Sequence, residues 1–230
     1  MNCEYDDEQQ IITLYQYPII VVISDVLGGI KNDVFPFSSA VPDKLLCPAY
    51  LDLKRAQIIP TVLNDFAPSC TLSVIYPAHH VSVHYGNTLK PSYVDAAPAV
   101  HVDCGGGTTE WDAANFSVAL TDPDAPSRKK PKWSEMCHWI AVGGRADGEQ
   151  GSLVDYKPPG PPPGTGKHRY VFVLLKGDTS SLTEPSDRQH WGFGKPGGKK
   201  GRKTHGVQDW ADREGLEIVG ANWFEAEHES

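Results

Sequence analysis

Short runs of β-branched and aromatic residues, separated by turn formers, dominate the middle of the chain. Thr71–Tyr76, Val81–Tyr85, Ala99–Cys104, Asn115–Thr121, Cys137–Val142 and Arg169–Leu175 each read as a strand. Breakers stand between them: Pro77, Gly86-Asn87, Pro98, Gly105-Gly106-Gly107, Pro123, Pro126, Gly143-Gly144 and the proline-rich stretch Pro158–Gly166. Two segments keep helical spacing instead. Leu45–Leu63 mixes apolar and charged positions and carries Pro60 near its end, and Val207–Glu214 is a short helix closed by Gly215. Leu216–Phe224 then alternates as a final strand. Strands without recurring βα units predict a mostly β fold, an antiparallel sandwich with short peripheral helices.

Residues 1–40 do not share this pattern and form an N-terminal extension to a domain spanning 41–230. Within them Ile11–Ile30 is apolar but interrupted by Gln16, Pro18, Ser24 and Asp25, whereas a spanning helix needs about 20 mostly apolar residues. Glu4, Asp6, Asp7 and Glu8 precede it, the wrong sign for a secretory leader. An irregular or strand-like appendage is the first reading, ahead of an atypical targeting segment and a membrane anchor.

Composition narrows the function. The net charge of −8 lies in the first half: residues 1–115 hold 13 acids and 5 bases, residues 116–230 hold 16 of each. A nucleic-acid binder needs a basic excess, so that class is set aside. The five cysteines (Cys3, Cys47, Cys70, Cys104, Cys137) are odd in number and lack CxxC spacing. They read as free thiols in a reducing compartment, the cytoplasm.

The chemistry-bearing residues sit where strands meet loops. DPDAPSR (Asp122–Arg128) ends one strand, WSEMCHW (Trp133–Trp139) enters the next, and PPPGTGKHRYVF (Pro161–Phe172) opens a third. Asp122 and Asp124 lie in a turn stiffened by Pro123 and Pro126, which alone is an Asx-turn. His138 and His168 offer donors, and Gly164 and Gly166 let backbone N–H groups approach an anion. Asp122 can fix a histidine tautomer, while Pro126, Trp133, Pro162 and Tyr170 can wall a pocket. A Cys137–His138 nucleophile is rejected because strand neighbours face opposite ways. Nothing in the spacing demands a metal or a cofactor.

These motifs resemble the phosphatidylethanolamine-binding protein family, also called Raf-kinase-inhibitor-like. DPDAPSR, His138 within CHW, and GPPPGTGKHRYVF match its two signature regions over roughly Ala67–Glu225. WGFGKP and GLEIVGANWFEAE look most like its fungal branch, to which the yeast carboxypeptidase Y inhibitor belongs. The resemblance implies an antiparallel β-sandwich with an edge pocket for a phospholipid headgroup or another small anion. Its ligand-binding residues would be Asp122, Asp124, Pro126, Trp133, His138, Pro162, Gly164, Gly166, His168 and Tyr170. It also implies a protein partner, a serine carboxypeptidase or a kinase pathway, and a regulatory protein rather than an enzyme. The alternative is an accessory in fungal secondary metabolism that assists coupling of anhydride-bearing units, with Asp122, His138 and His168 moving protons. Lys195–His205, with five Lys/Arg residues, is either a solvated loop or a peripheral membrane contact.

Overall fold

The computed structural model describes residues 47–105, 108–109, 115–143, 151–188, 191 and 206–229. The extension 1–40, with its run Ile11–Ile30, and the basic stretch Lys195–His205 lie outside the described residues.

Two sheets stack face to face. The smaller has the order β2-β1-β4-β5, from β1 (Thr71–Tyr76), β2 (Val81–Val83), β4 (Ala99–Asp103) and β5 (Thr108–Thr109). The larger has the order β3-β10-β9-β6-β7-β8. Its strands are β3 (Asn87–Thr88), β6 (Phe116–Asp122), β7 (Met136–Val142), β8 (Gly151–Val154), β9 (His168–Lys176) and β10 (Glu217–Ala226). All pairings are antiparallel except the two-residue β3, which runs parallel to β10.

The larger sheet is covered on both faces. On one, Val118, Leu120, Trp139, Phe172 and Leu174 meet Leu72, Val74, Val100 and Val102 of the smaller sheet. On the other, Ala119, Val171, Val173 and Leu175 meet α1 (Pro48–Arg55), α2 (Ile58–Thr61) and α3 (Gly206–Glu214). Strands buried on both faces need apolar residues at every position, not every second one. Hence β6 is buried throughout and β9 everywhere but Lys176.

The helical stretch expected over Leu45–Leu63 breaks in two. Gln57 takes a left-handed conformation (φ 56°) between α1 and α2. A continuous helix would ask residue 60 to donate to the Ala56 carbonyl, and Pro60 has no N–H. That carbonyl instead accepts from Arg169 Nη1 at 2.8 Å. Gly86, also at positive φ (+103°), packs so tightly that a Cβ would stand 2.4 Å from the Trp223 ring. Gly86→Ala is expected to destabilise the protein by about 1–3 kcal/mol through overpacking alone, read as a lower urea midpoint at unchanged slope.

The cysteines depart from expectation. Cys70 and Cys104 form a disulfide, and Cys47 is also disulfide-bonded. Among the described residues only Cys137 is a free thiol. The antiparallel register Thr71↔Asp103 makes Cys70 and Cys104 the next residues to face each other, which spacing along one chain does not reveal. The reducing compartment inferred from five free thiols therefore loses its basis. Among the described residues no helix is long and apolar enough to cross a membrane.

Candidate functional site

The end of β6, the start of β7 and the start of β9 converge at one end of the larger sheet's central strands. β6 terminates at Asp122, whose Oδ1 accepts the Asp124 N–H at 2.7 Å and closes an Asx-turn. Its second oxygen, Oδ2, lies 2.9 Å from His168 Nδ1 and is buried with it. One oxygen thus closes the turn and the other meets His168.

The hydrogen bonds around His168 fix its charge. Thr165 donates its one hydroxyl proton to the Pro162 carbonyl (2.7 Å), so it must accept from His168 Nε2 (3.1 Å). The carboxylate of Asp122 can only accept from Nδ1. Both ring nitrogens donate, as in an imidazolium. Burial works against that charge, but the bond to Asp122 and its negative charge, with Asp124 and the Pro126 carbonyl, outweigh it. The His168 pKa is raised above the ordinary imidazole value.

His138 is held in the opposite state. Its Nδ1 lies 2.7 Å from the Lys157 carbonyl, which can only accept, and its own carbonyl accepts the Lys157 N–H at 2.7 Å. Nε2 is buried and without a hydrogen-bond partner among the described residues. Burial lowers the His138 pKa and keeps the ring neutral, against the pull of Asp122. Tyr170 stands between the histidines, edge-on to His138 (5.2 Å) and stacked on His168 (6.4 Å). Burial and Asp122 raise its pKa, so it stays a phenol.

A β-bulge aims His138. The β6–β7 register jumps from Leu120↔Trp139 to Thr121↔Cys137, leaving His138 as the extra residue. Cys137 consequently packs with the helices and Trp139 with the smaller sheet, although regular alternation would place them on one face. Burial pushes the Cys137 thiol up to about 12, which removes it as a nucleophile.

Asp124 turns to the opposite side of the sheet. Its Oδ1 accepts from Arg169 Nη2 (2.7 Å) and its Oδ2 from Arg169 Nε (2.9 Å) and the Arg169 N–H (2.9 Å). Residues 81–224 match the family described as Phosphatidylethanolamine-binding protein. This chain belongs to the phosphatidylethanolamine-binding protein family. It is 31% identical over 210 residues to the carboxypeptidase Y inhibitor of Saccharomyces cerevisiae, covering 76% of this chain and 92% of that one. Among solved structures it is similar to carboxypeptidase Y inhibitor complexed with the cognate proteinase, with a TM-score of 0.63 and 32% identity, covering 77% of this chain and 94% of that chain. A phosphatidylethanolamine-binding protein from Plasmodium vivax shares the fold (TM-score 0.59, 21% identity), covering 79% of this chain and 98% of that one.

In this phosphatidylethanolamine-binding protein family member, Asp122, His138, His168 and Tyr170 are brought together at one end of the central strands. Pro126 is half-buried beside them, and the Pro162 carbonyl anchors Thr165. Gly164 and Gly166 are exposed at positive φ (+72° and +77°) with open space where a Cβ would stand. Trp133 is exposed on the loop between β6 and β7, its N–H bonded to the Ala125 carbonyl at 3.0 Å. Asp124 has both oxygens committed to Arg169.

Sequence reasoning passed over Arg169, Thr165 and Glu135. A lone arginine in the apolar strand HRYVFVLL was the available signal, since a buried guanidinium needs a partner. Glu135 holds the α3 start, accepting from Gly206 N (2.7 Å), Val207 N (3.3 Å) and Thr121 Oγ1 (2.9 Å). Burial raises it to about 7 against those three bonds. Among the described residues no three His, Cys, Asp or Glu side chains are grouped to hold a metal ion.

Proposed function

We propose that this chain is an anion-binding regulatory protein that acts by modulating a protein partner, with a serine carboxypeptidase the first candidate. One observation carries the reading: His168, with a hydrogen-bond partner on each ring nitrogen, and His138, whose Nδ1 meets the Lys157 carbonyl while its buried Nε2 has no partner among the described residues, both lie against Tyr170. The His168 Nε2–H, now on Thr165, is the donor an oxyanion would take over. The bare His138 Nε2 accepts from a ligand hydroxyl or ammonium. A phosphomonoester such as phosphorylethanolamine offers both groups. Similarity to the carboxypeptidase Y inhibitor, alone and complexed with its cognate proteinase, supports the protease partner.

The test has two arms. Calorimetry with phosphorylethanolamine should show saturable binding, and excess protein should slow a serine carboxypeptidase. Unimpaired peptidase activity at high excess removes the inhibitor reading; absence of any heat with phosphorylated headgroups removes the anion reading.

The second reading, an accessory in metabolite coupling, is favoured by the same pair, because one imidazolium and one free base are the components of proton transfer. Turnover lost with binding retained in His138→Ala would select it.

A further inference from the structure

We propose that a cavity of about 290 Å³ beside β10 is a second binding site, made for a small zwitterion: a free α-amino acid with an apolar side chain. Asp52 and Arg55 of α1 line it together with Tyr85, Arg128, Trp223 and Glu225. This goes beyond the histidine site and stands on other residues. The two sites lie on opposite faces of the larger sheet: Trp223 packs among the helices, whereas Tyr170 packs on the smaller sheet. The volume is just below the roughly 300–1,000 Å³ of small-molecule pockets, so the occupant has the size of one amino acid rather than of a peptide or a nucleotide.

Charge sets the class of ligand. The walls carry two cations and two carboxylates, so a simple anion meets Asp52 and Glu225, and a simple cation meets Arg55 and Arg128. A neutral apolar molecule would strip water from all four charges without replacing it. A dipolar ion answers both signs: its carboxylate accepts from a guanidinium fork and its ammonium donates to a carboxylate. The wall charges do not saturate one another. Arg55 Nη1 meets Asp52 Oδ1 in a single contact of 3.2 Å, and Arg128 Nη1 stands 3.8 Å from Glu225 Oε1, beyond hydrogen-bond length. Exposed pairs of this kind hold weakly. Lys167 Nζ lies 3.3 Å from the other Glu225 oxygen, which leaves Asp52 as the better acceptor for an ammonium.

One buried amide fixes both aromatic walls. Asn222 Oδ1 accepts the N–H of Tyr85 (3.0 Å) and of Trp223 (2.8 Å), while Asn222 Nδ2 donates to the Leu72 and Val83 carbonyls (2.9 and 3.2 Å). Tyr85 is kept in the left-handed conformation (φ 39°), which a bulky residue rarely takes. Backbone strain of this sort gathers at binding sites. Burial and the Asp52 charge raise the Tyr85 pKa, so its phenol remains a donor. Trp223 is 8% exposed, and its indole Nε1 is buried without a partner among the described residues. A buried donor left unmet destabilises the fold, and the carboxylate of a bound amino acid supplies the acceptor it lacks.

The test is calorimetry on the full chain with L-phenylalanine, N-acetyl-L-phenylalanine and L-phenylalanine amide. L-Phenylalanine should bind saturably with a Kd of about 1 mM or tighter. Each blocked analogue has lost one charge and should bind about tenfold more weakly or worse. Arg55→Gln and Asp52→Asn should each weaken L-phenylalanine by about tenfold or more. Arg55 is exposed and Asp52 half-exposed, so the unfolding midpoint should not move, which separates lost binding from lost folding. Trp223→Phe, which keeps an aromatic ring and removes the N–H, should weaken binding several-fold. His168→Ala should leave L-phenylalanine binding unchanged while it weakens phosphorylethanolamine, so the two sites fail separately. The proposal is overturned if wild type gives no saturable heat in the millimolar range, if the blocked analogues bind as well as L-phenylalanine, or if binding survives Arg55→Gln and Asp52→Asn and is lost in His168→Ala.

Discussion

Arg169→Met is expected to destabilise the protein by about 3–5 kcal/mol, as removal of one partner from a buried ion pair does. Its guanidinium meets both oxygens of Asp124 in a two-pronged, charge-assisted arrangement and donates to the Ala56 and Gln57 carbonyls. The change therefore leaves the Asp124 carboxylate buried with only the Arg169 N–H, and leaves two carbonyls at the α1–α2 break unmet. Asp124→Leu alone should cost a similar amount by stranding the guanidinium. The double variant should be less destabilised than the sum of the two, since neither charge is then left alone. Urea unfolding of the three variants checks this. Additive losses would mean that the pair contributes nothing beyond its separate contacts.

His168→Ala should weaken phosphorylethanolamine binding by about 1.5–3 kcal/mol, the range for a hydrogen bond to a charged group, or roughly ten- to hundredfold. The pH profile carries the finer test. The folded pKa of His168 is raised, so its ion pair with Asp122 stabilises fully below the unfolded value of 6.5 and fades as pH rises through the folded value. His138 has a lowered pKa, so its contribution is lost in the other direction, as pH falls below 6.5. Binding that needs a charged His168 and a neutral His138 is then strongest in a band around 6.5. Asp122→Asn removes the main raising influence and should draw the alkaline edge of that band downward. An alkaline edge unmoved by Asp122→Asn would show that some other group sets it.

Much of this was legible in advance, and particular residues show where legibility stopped. Thr71–Tyr76 was read to the residue because β-branched runs bounded by Pro and Cys leave little choice, and Gly215 closes α3 at positive φ (+71°) as a C-cap should. β8 was missed because Gly-Ser-Leu-Val, partly exposed at an edge, has no pattern of its own and takes its structure from pairing with β7. The bulge at His138 and the Cys70–Cys104 bond were missed for one shared reason. Both depend on register between strands, and register is a property of two segments at once. The histidines and Asp122 were legible as candidates from their loop-to-strand positions. That Asp124 serves Arg169 was not, because the two are 45 residues apart and meet only once β6 and β9 pair.

The first three residues of β9 divide two tasks between adjacent positions. His168 and Tyr170 lie with Asp122 and His138, while Arg169 between them faces the helices and ties the strand to α1 and the DPD turn. Exchanges at Arg169 break an ion pair that holds the fold together; exchanges at its neighbours change the chemistry beside Asp122 and His138. The chemistry on one side of β9 can therefore be altered while the tie on its other side, and the scaffold with it, stays intact.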